Sequence, residues 1–273
     1  MTNAQRTNVI LQAENISLTL GGNRILRDLS VDICDVVRPG QATGQVVGFL
    51  GPSGVGKTKF FEILAGLLKP DTGTVQLGHP LQPVQPGMVG VVQQNYPLFF
   101  HRTVKGNLML AANKRYPNAG EAADRMRDLM GRFHMADKLE LYPAQLSGGQ
   151  RQRVAIAQQL LCSEHFLLLD EPFSGLDILM IEEVAEMIGE IAHAHEMNTI
   201  IIVSHDIVAT ASVADTLWLM GRDRDANGAV VPGARIKHTY DLAAMDLCWD
   251  KNLLGKPAFQ SLVNEIRERF HTL

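Results

Sequence analysis

Short apolar segments alternate with helical patterns in the second half of the chain, and this order predicts a layered α/β fold. Phe166–Asp170 and Thr199–Ser204 are apolar runs of strand length, which is typical of parallel strands covered on both faces. The stretch Ile178–His195 between them has the pattern of a helix. Strand, helix and strand in this order predict a parallel sheet with right-handed crossovers.

The first fifty residues have the pattern of strands. Val9–Ala13, Ile16–Leu20 and Leu29–Ile33 are predicted as three short strands, and Gly21-Gly22-Asn23 is predicted as the turn between the second and the third. The apolar segment Gln45–Leu50 is a further predicted strand, and it runs directly into a glycine-rich loop.

The middle of the chain, from about Tyr96 to Leu161, predicts helices. Their breaks are expected at prolines and glycines, namely Pro117, Gly120, Pro143 and Gly148-Gly149. We therefore expect a mainly helical region between the parallel strands.

The composition changes after Gly221. Arg222–Gly233 is rich in charge, glycine and alanine and is interpreted as an exposed loop. The tail ends in a predicted amphipathic helix that begins near Pro257. Its apolar residues recur on one face, and they are Phe259, Leu262, Val263, Ile266 and Phe270. The simpler interpretation is that this helix packs on the main domain, and the alternative is a regulatory or subunit-contact surface.

The composition limits which partners and which cellular compartment are expected for this chain. The chain has 273 residues and a formal net charge of −4, so a basic face for nucleic acid is not expected. Its three cysteines, Cys34, Cys162 and Cys248, are far apart, which argues against a disulfide framework and favours a reducing cytoplasm. No apolar run approaches the roughly 20 residues that cross a bilayer, and Met1–Glu14 lacks an apolar signal region. Any membrane association is therefore expected through a partner.

A phosphate-binding loop follows the strand Gln45–Leu50. The residues that fit the pattern G-x-x-x-x-G-K-[ST] are Gly51, Pro52, Ser53, Gly54, Val55, Gly56, Lys57 and Thr58. The glycines let backbone N–H groups surround a phosphate, Lys57 reaches the β- and γ-phosphates, and Thr58 offers its hydroxyl to Mg²⁺. The helix that follows directs its positive end at the anion. This loop predicts binding of a nucleotide with Mg²⁺.

Two acidic residues end the apolar strand Phe166–Asp170. Asp170 is placed to hold Mg²⁺ through its water shell, as in other phosphate-loop enzymes. Glu171 lies one residue further on, where it could accept a proton from an attacking water. Such a pair is weak evidence alone, but together with the phosphate loop it predicts hydrolysis.

A second anion-binding helix end is predicted at Leu146–Arg153, which reads LSGGQRQR. Ser147 is a natural N-cap, and Gly148 and Gly149 leave backbone donors open. One chain with two phosphate-binding helix ends suggests that two chains pair head to tail around shared nucleotide.

The sequence LSGGQRQR, preceded by the phosphate loop and followed by LLLDEP, resembles the ATPase cassette of ABC transporters. The resemblance covers roughly Leu11–Gly221. It implies a P-loop NTPase fold of the ABC type, with a parallel sheet core, an antiparallel β subdomain and a helical subdomain at about residues 95–161. The predicted division is a cassette at residues 1–221 and a C-terminal extension at residues 222–273.

The resemblance also implies roles for single residues. Two copies of such a cassette enclose two ATP molecules, so that the phosphate loop of one copy faces the signature residues of the other, here Ser147, Gly148, Gly149 and Gln150. Gln94 matches a glutamine between Mg²⁺ and the transmembrane partner, although Gln93 leaves the assignment open by one residue. Asp177, in the segment Ser174–Asp177, matches a loop that crosses the dimer interface. His205 matches the histidine that contacts the γ-phosphate.

Three features depart from the family pattern. Leu20 occupies the expected position of an aromatic residue that stacks on adenine, so base selectivity is expected to rest on a weaker apolar contact. Lys59 adds positive charge near the phosphates, where a small hydroxyl residue is common. The segment Cys34–Gly44 is longer than the usual link into the phosphate-loop strand.

These observations predict a subunit that hydrolyses ATP to drive transport. Gln85–Gly87 and Trp249–Phe270 are also similar to bacterial importers of the nitrate, sulfonate and taurine group. The implied partners are a second cassette, transmembrane permease subunits and a substrate-binding protein, with the chain on the inner face of the cell membrane. Tyr96–Phe100 suits either a surface for a membrane partner's helix or core packing.

Two other functions stay open from the sequence. The first is a soluble ABC-type ATPase of DNA repair, translation or cluster assembly. The chain has neither the long coiled coil of the repair members nor the second cassette of the translation members. The second is a nucleotide sensor without turnover, which the presence of Asp170, Glu171 and His205 argues against.

Overall fold

The computed structural model describes residues 5–37, 44–163, 165–195, 197–250 and 252–273. Its strands are β1 (Gln5–Leu20), β2 (Asn23–Val37), β3 (Gln45–Leu50), β4 (Thr72–Leu77), β5 (Gln82–Pro83), β6 (Gly90–Val92), β7 (Phe166–Asp170), β8 (Thr199–Ser204), β9 (Thr216–Arg224) and β10 (Val230–Asp241). Its α-helices are α1 (Lys57–Leu64), α2 (Val104–Arg115), α3 (Ala119–Arg132), α4 (Gly148–Cys162), α5 (Ile178–His193), α6 (Ile207–Val213) and α7 (Pro257–Phe270). Short 3₁₀ turns occupy Ala136–Lys138, Pro143–Gln145 and Leu253–Gly255.

The strands of the described residues form one sheet with the order β5-β4-β1-β2-β10-β9-β3-β8-β7-β6. The half from β9 to β6 is parallel, because β3 pairs with β8 and β9, and β7 pairs with β8 and β6, in the parallel sense. The other half is mainly antiparallel, through β1 with β2, β1 with β4, and β9 with β10. The predicted parallel core with an antiparallel part is therefore confirmed.

The parallel strands are buried on both faces, as their sequences predict. Alternate residues of β3 enter two different cores, with Val46 and Leu50 in one and Val47 and Phe49 in the other. Phe49 also contacts Trp218 of β9, with 4.6 Å between the ring centroids. Because side chains alternate across a strand, a strand between two cores needs apolar residues at every position.

The N-terminal strands differ from the prediction. Val9–Ala13 and Ile16–Leu20 are not separate strands, since both belong to β1. The pairing of β1 with β2 shifts register between Ala13 and Ile16, where the prediction had placed a break. Asn15 sits at this shift with φ 52°, a conformation that asparagine tolerates, and its N–H donates to Ser30 Oγ at 2.9 Å. The chain therefore bulges there without leaving the sheet.

The predicted turn is confirmed at Gly21 and Gly22, whereas Asn23 is already the first residue of β2. Gly21 and Gly22 have φ of 55° and 79° and join β1 to β2, where Leu20 pairs with Asn23. Two positive φ values match the two-residue hairpin turn that glycine favours. The long segment Cys34–Gly44 begins inside β2, and its residues 38–43 lie outside the described residues.

The helical region begins later than its sequence suggests. Residues 96–103 are not helical, and α2 starts at Val104 after the N-cap Thr103, whose Oγ1 accepts from Gly106 N at 3.1 Å. Gly120 and Gly148-Gly149, predicted as breaks, lie in the first turns of α3 and α4 instead. The capping side chain just before each helix sets its start, and an early glycine does not prevent it.

The residues after 221 also differ in part from the prediction. Arg222–Gly233 is not one exposed loop, because β9 continues to Arg224 and β10 begins at Val230. The pairs of Val230 with Arg224 and of Ala234 with Arg222 bring both ends of this charged, glycine-containing segment into the sheet. The predicted boundary at residue 221 falls inside β9, and the division into two domains stays a prediction.

The predicted C-terminal helix is confirmed as α7. Its residues Phe259, Leu262, Val263 and Ile266 are buried in the same core as residues of α5 and α6. This packing agrees with the simpler of the two interpretations drawn from the sequence. Among the described residues, no helix combines the length and the apolar character that a bilayer crossing requires.

One buried side chain holds the segment that precedes α2. Asn107 Oδ1 accepts from Phe99 N at 2.7 Å, and its Nδ2 donates to the carbonyl oxygens of Phe99 at 3.1 Å, Arg102 at 3.3 Å and Thr103 at 3.0 Å. Leu98 is buried in the core, whereas Phe99 and Phe100 are exposed. The Tyr96–Phe100 segment is thus partly core and partly surface.

We expect Asn107→Asp to lower the free energy of unfolding by more than about 2 kcal/mol at neutral pH, because a carboxylate cannot donate to the three carbonyl oxygens. Chemical denaturation would measure the loss. The buried carboxyl would have a raised pKa, so the loss should shrink in acid, where the group is protonated. Asn113→Asp, at an exposed position of the same helix, is the control. Equal losses in both variants would contradict this role of Asn107.

Candidate functional site

The phosphate loop connects the end of β3 to the start of α1 at the centre of the sheet. Gly54 and Gly56 have φ of 74° and 118°, which only glycine adopts readily. A Cβ on Gly56 would also lie 3.0 Å from Ile25 Cγ2, so β2 packs closely against the loop. The first turn of α1 has no acidic residue and no capping side chain, which leaves its backbone donors available for an anion.

Lys57 is buried inside this loop. Its Nζ donates to Gly51 O at 2.7 Å and to Pro52 O at 3.2 Å, and lies 4.0 Å from Glu171 Oε1. Burial lowers the pKa of Lys57, and the charges of Glu171 and Asp170 oppose that shift. The ammonium group is therefore held next to the acid pair.

A cavity of about 390 Å³ opens beside α1 and the end of β7. Its lining residues are Thr58, Phe61, Glu62, Leu67, Val91, Gln93, Gln94, Asn95 and Asp170. Asp170 Oδ1 is buried without a hydrogen-bond partner, and burial together with the charge of Glu171 raises the pKa of Asp170. Mg²⁺ prefers oxygen ligands. The unpaired Asp170 oxygen lines the same cavity as the Thr58 hydroxyl and the Gln94 amide, so these residues suit a Mg²⁺ site.

Glu171 and His205 are joined at the ends of two neighbouring strands. Glu171 Oε2 accepts from Ser204 Oγ at 3.1 Å and from His205 N at 3.3 Å, and lies 2.9 Å from His205 Nδ1. Glu171 has φ 51°, and its N–H donates to Val203 O at 2.8 Å. This backbone bond across to β8 holds the residue in its unusual conformation.

Gln94 lines the cavity and reaches the loop before α5. Its Nε2 donates to Ser174 Oγ at 3.2 Å, which links it to the Ser174–Asp177 segment. Gln93 lines the same cavity, so the assignment of Gln94 stays a prediction. The structure thus brings Thr58, Asp170 and both glutamines to a single opening.

The signature residues form the exposed start of α4. Ser147 Oγ accepts from Gln150 N at 3.3 Å, while Gln150 Oε1 accepts from Ser147 N at 3.0 Å, which is a capping box. A Cβ on Gly148 or Gly149 would meet no atom within 4 Å, so packing inside the chain does not require glycine there. Within the described residues, no hydrogen bond links this helix end to the phosphate loop.

The remaining predicted residues have local partners or are exposed. Asp177 caps α5, since its Oδ1 accepts from Met180 N at 2.9 Å. Lys59 pairs with Glu62 of its own helix at 2.8 Å. Leu20 is 39% exposed at the β1–β2 turn, which leaves an apolar surface beside the strand that packs on the phosphate loop.

Two residues that contact the site were missed from the sequence. Ser204 donates to Glu171, and its position directly before His205 was the available signal. Arg222 Nη2 donates to Gly54 O at 3.3 Å, although its sequence context predicted an exposed loop. No local pattern indicates that second contact, because 168 residues separate its partners.

Comparisons with known proteins identify the family of the chain. A family model described as ABC transporter matches residues 39–174. The sulfate/thiosulfate import ATP-binding protein CysA 2 of Rhizobium meliloti (strain 1021) is 36% identical over 219 residues, which are 78% of this chain and 57% of that protein. The sulfate/thiosulfate import ATP-binding protein CysA of Thermosynechococcus vestitus is 32% identical over 250 residues, which are 90% of this chain and 71% of that protein.

A solved structure shows the same fold. The structure of cbiO1 from Clostridium perfringens, described as part of the ABC transporter complex cbiONQ, matches with a TM-score of 0.71. It covers 91% of this chain and 93% of that chain at 23% identity, so it supports the fold alone. The fold, the geometry around the phosphate loop and the two relatives lead to one conclusion: the chain belongs to the ABC transporter family, as an ATP-binding member.

Proposed function

We propose that this chain is the ATP-binding and ATP-hydrolysing subunit of an ABC importer. The observation that carries the proposal is the convergence of Lys57, Asp170, Glu171 and His205 at the ends of neighbouring parallel strands. Ligand sites of open parallel sheets lie at this edge. Both relatives described above are import ATP-binding proteins, and this chain spans 57% and 71% of their lengths.

Binding of ATP would use the phosphate loop and the start of α1. Lys57 would exchange the carbonyl oxygens of Gly51 and Pro52 for charged phosphate oxygens, which compensate the buried ammonium group more fully than neutral carbonyls do. Thr58, Asp170 and Gln94 would hold Mg²⁺, which neutralises charge on the β- and γ-phosphate oxygens when bound. Lys59 and Leu20 would contact the nucleotide from the edges of the site.

Hydrolysis would rest on the Glu171–His205 pair. Glu171 would accept the proton of a water that attacks the γ-phosphate in line. Ser204 and His205 orient its Oε2, and His205 is exposed, so the imidazole can turn towards the γ-phosphate.

A second copy of the chain would complete each site. Ser147, Gly148, Gly149 and Gln150 form an exposed helix end, and the two glycines leave space for close approach. We propose that this end closes over the phosphate loop of the other copy. Asp177, which caps α5, shapes the Ser174–Asp177 loop that would cross the interface.

Coupling to transport would use the surface beside Gln94. Phe99 and Phe100 are exposed there, and Asn107 holds their segment in place. We propose that a transmembrane permease subunit contacts this surface from the cytoplasmic side of the membrane, and that a substrate-binding protein serves the same complex. The choice of substrate would then lie with those partners.

We expect Glu171→Gln to bind ATP while hydrolysis falls at least about 100-fold, because the general base is lost. A dimer should accumulate in ATP, and ATPase assays with size-exclusion chromatography and light scattering would detect both effects. Glu182→Gln, at an exposed position of α5, is the control. If Glu171→Gln hydrolysed ATP at the wild-type rate, Glu171 would not be the general base.

Ser147→Arg should keep ATP binding but abolish hydrolysis and dimer formation, since a bulky cation would stand where the helix end meets the other copy. In the Glu171→Gln background, the ATP-dependent dimer should disappear. Light scattering and ATP titration measure the two properties separately. A dimer that forms equally well with Ser147→Arg would contradict the proposed pairing.

Asp170→Asn should stabilise the nucleotide-free chain at neutral pH and yet abolish Mg²⁺-dependent hydrolysis. The folded-state pKa of Asp170 is raised, so its contribution to stability is present in acid and lost as pH rises through that pKa. The thermal midpoints of variant and wild type should therefore differ at pH 7.5 and converge in acid. A variant less stable than wild type at pH 7.5 would argue that the buried Asp170 carboxylate does not destabilise the nucleotide-free chain.

A further inference from the structure

The peptide unit between Gly54 and Val55 is held at both of its polar groups. Val55 N donates to Pro52 O at 3.3 Å, and Gly54, the third residue of this turn, has φ 74°. On the other side, Arg222 Nη2 donates to Gly54 O at 3.3 Å. A side chain from a distant strand therefore contacts the turn inside the phosphate loop.

The path of β9 brings Arg222 to this turn. Leu219 pairs with Leu50, the last residue of β3, so β9 runs beside the strand that leads into the loop. A Cβ on Gly51 would lie 2.6 Å from Met220 O, which shows how closely β9 passes the start of the loop. Arg222 follows two residues later and lies opposite Ala234 of β10.

The end of β9 is fixed from its other face. Asp223 forms ion pairs with Arg27 of β2 and Lys237 of β10, and the hydrogen bond from Lys237 lowers the pKa of this carboxyl. A Cβ on Gly221 would lie 2.8 Å from the Leu273 side chain, so the segment after α7 also packs against this strand. Neighbouring residues of a strand point to opposite faces. Arg222 thus extends from an anchored backbone.

Nucleotide binding would change the other contact that holds this turn. Lys57 Nζ now donates to Pro52 O, the same oxygen that accepts from Val55 N. When Lys57 turns to the phosphates, Pro52 O loses that donor, whereas the contact of Arg222 with Gly54 O does not depend on Lys57. Among the described residues, Arg222 is then the remaining side chain that donates a hydrogen bond to the turn.

We propose that Arg222 is a positioning residue of the phosphate loop. It holds the Gly54–Val55 peptide so that the loop keeps its shape while Lys57 exchanges carbonyl for phosphate oxygens. This inference rests on the proposed binding of nucleotide by the loop. ADP and ATP both bind through the β-phosphate, so Arg222 should affect their affinities alike and act on KM more than on kcat.

The test compares Arg222→Ala, Arg222→Lys and Arg224→Ala in the full chain. Arg224 lies on the same face of β9 and bonds to Gly228 O rather than to the loop, so its removal controls for lost charge. Fluorescent ADP and ATP titrations should show about tenfold weaker binding by Arg222→Ala, the size expected for one charge-assisted hydrogen bond. Arg222→Lys should recover part of the loss, and Arg224→Ala should bind like wild type.

A double-variant comparison separates positioning from direct contact with the phosphates. Gly54→Ala strains the same peptide, because alanine disfavours φ 74°. If Arg222 acts through this peptide, Gly54→Ala with Arg222→Ala should bind no more weakly than the weaker single variant. Multiplied losses would instead indicate that Arg222 contacts the nucleotide itself, and would overturn the inference.

Other outcomes also decide the question. Equal losses of affinity in Arg222→Ala and Arg224→Ala would mean that the effect comes from the lost positive charge and not from the contact with Gly54. Wild-type affinity of Arg222→Ala would mean that Arg222 has no role in the loop. Thermal midpoints of the nucleotide-free variants should match wild type, and a drop confined to Arg222→Ala would mean a structural role. If the wild-type chain binds neither ADP nor ATP, this result contradicts the proposed function and is distinct from a failure of the role proposed for Arg222.

Discussion

The ammonium group of Lys57 lies between the carbonyl oxygens of its own loop and the carboxylates at the end of β7. Burial lowers the pKa of Lys57 and raises that of Asp170, so each charge depends on the other for compensation. A buried charge that is only partly compensated is costly in the free chain. The same cost favours a ligand that brings phosphate charge to the lysine and a cation to the aspartate.

The sheet makes this arrangement possible because its parallel half places three strand ends side by side. β3 supplies the phosphate loop, β7 supplies Asp170 and Glu171, and β8 supplies Ser204 and His205. Cores on both faces hold the strands rigidly, so the polar groups at their ends keep fixed separations. The strained conformation of Glu171 is held by its bond to Val203, which places the carboxylate next to His205.

β2 and β9 pack against the phosphate loop, and the C-terminal segment packs in turn on β9. β2 packs against Gly56, β9 passes Gly51, and the region after α7 packs on Gly221. Arg222, one residue beyond the predicted cassette boundary at 221, donates directly to Gly54 O of the phosphate loop. Sites that bind phosphate through backbone groups depend on such support, since a small change of loop shape misdirects several donors at once.

The sequence by itself determined the features that depend on short spacing. The phosphate loop, the N-cap at Ser147, the acid pair at the end of β7 and the apolar face of α7 each follow from local patterns, and the structure contains all four. Local geometry suffices for them because their hydrogen bonds and periodicities lie within a few residues of the chain.

The tertiary structure alone decided the features that join distant segments. β1 became one strand because pairing with β2 and β4 absorbs a bulge at Asn15, and Arg222–Gly233 became largely strand because β9 and β10 pair. Asn107 and Arg222 gained their partners only when loops and strands were brought together. Such contacts depend on sheet order and register, which no short pattern encodes, because the backbone groups that they satisfy belong to other parts of the chain.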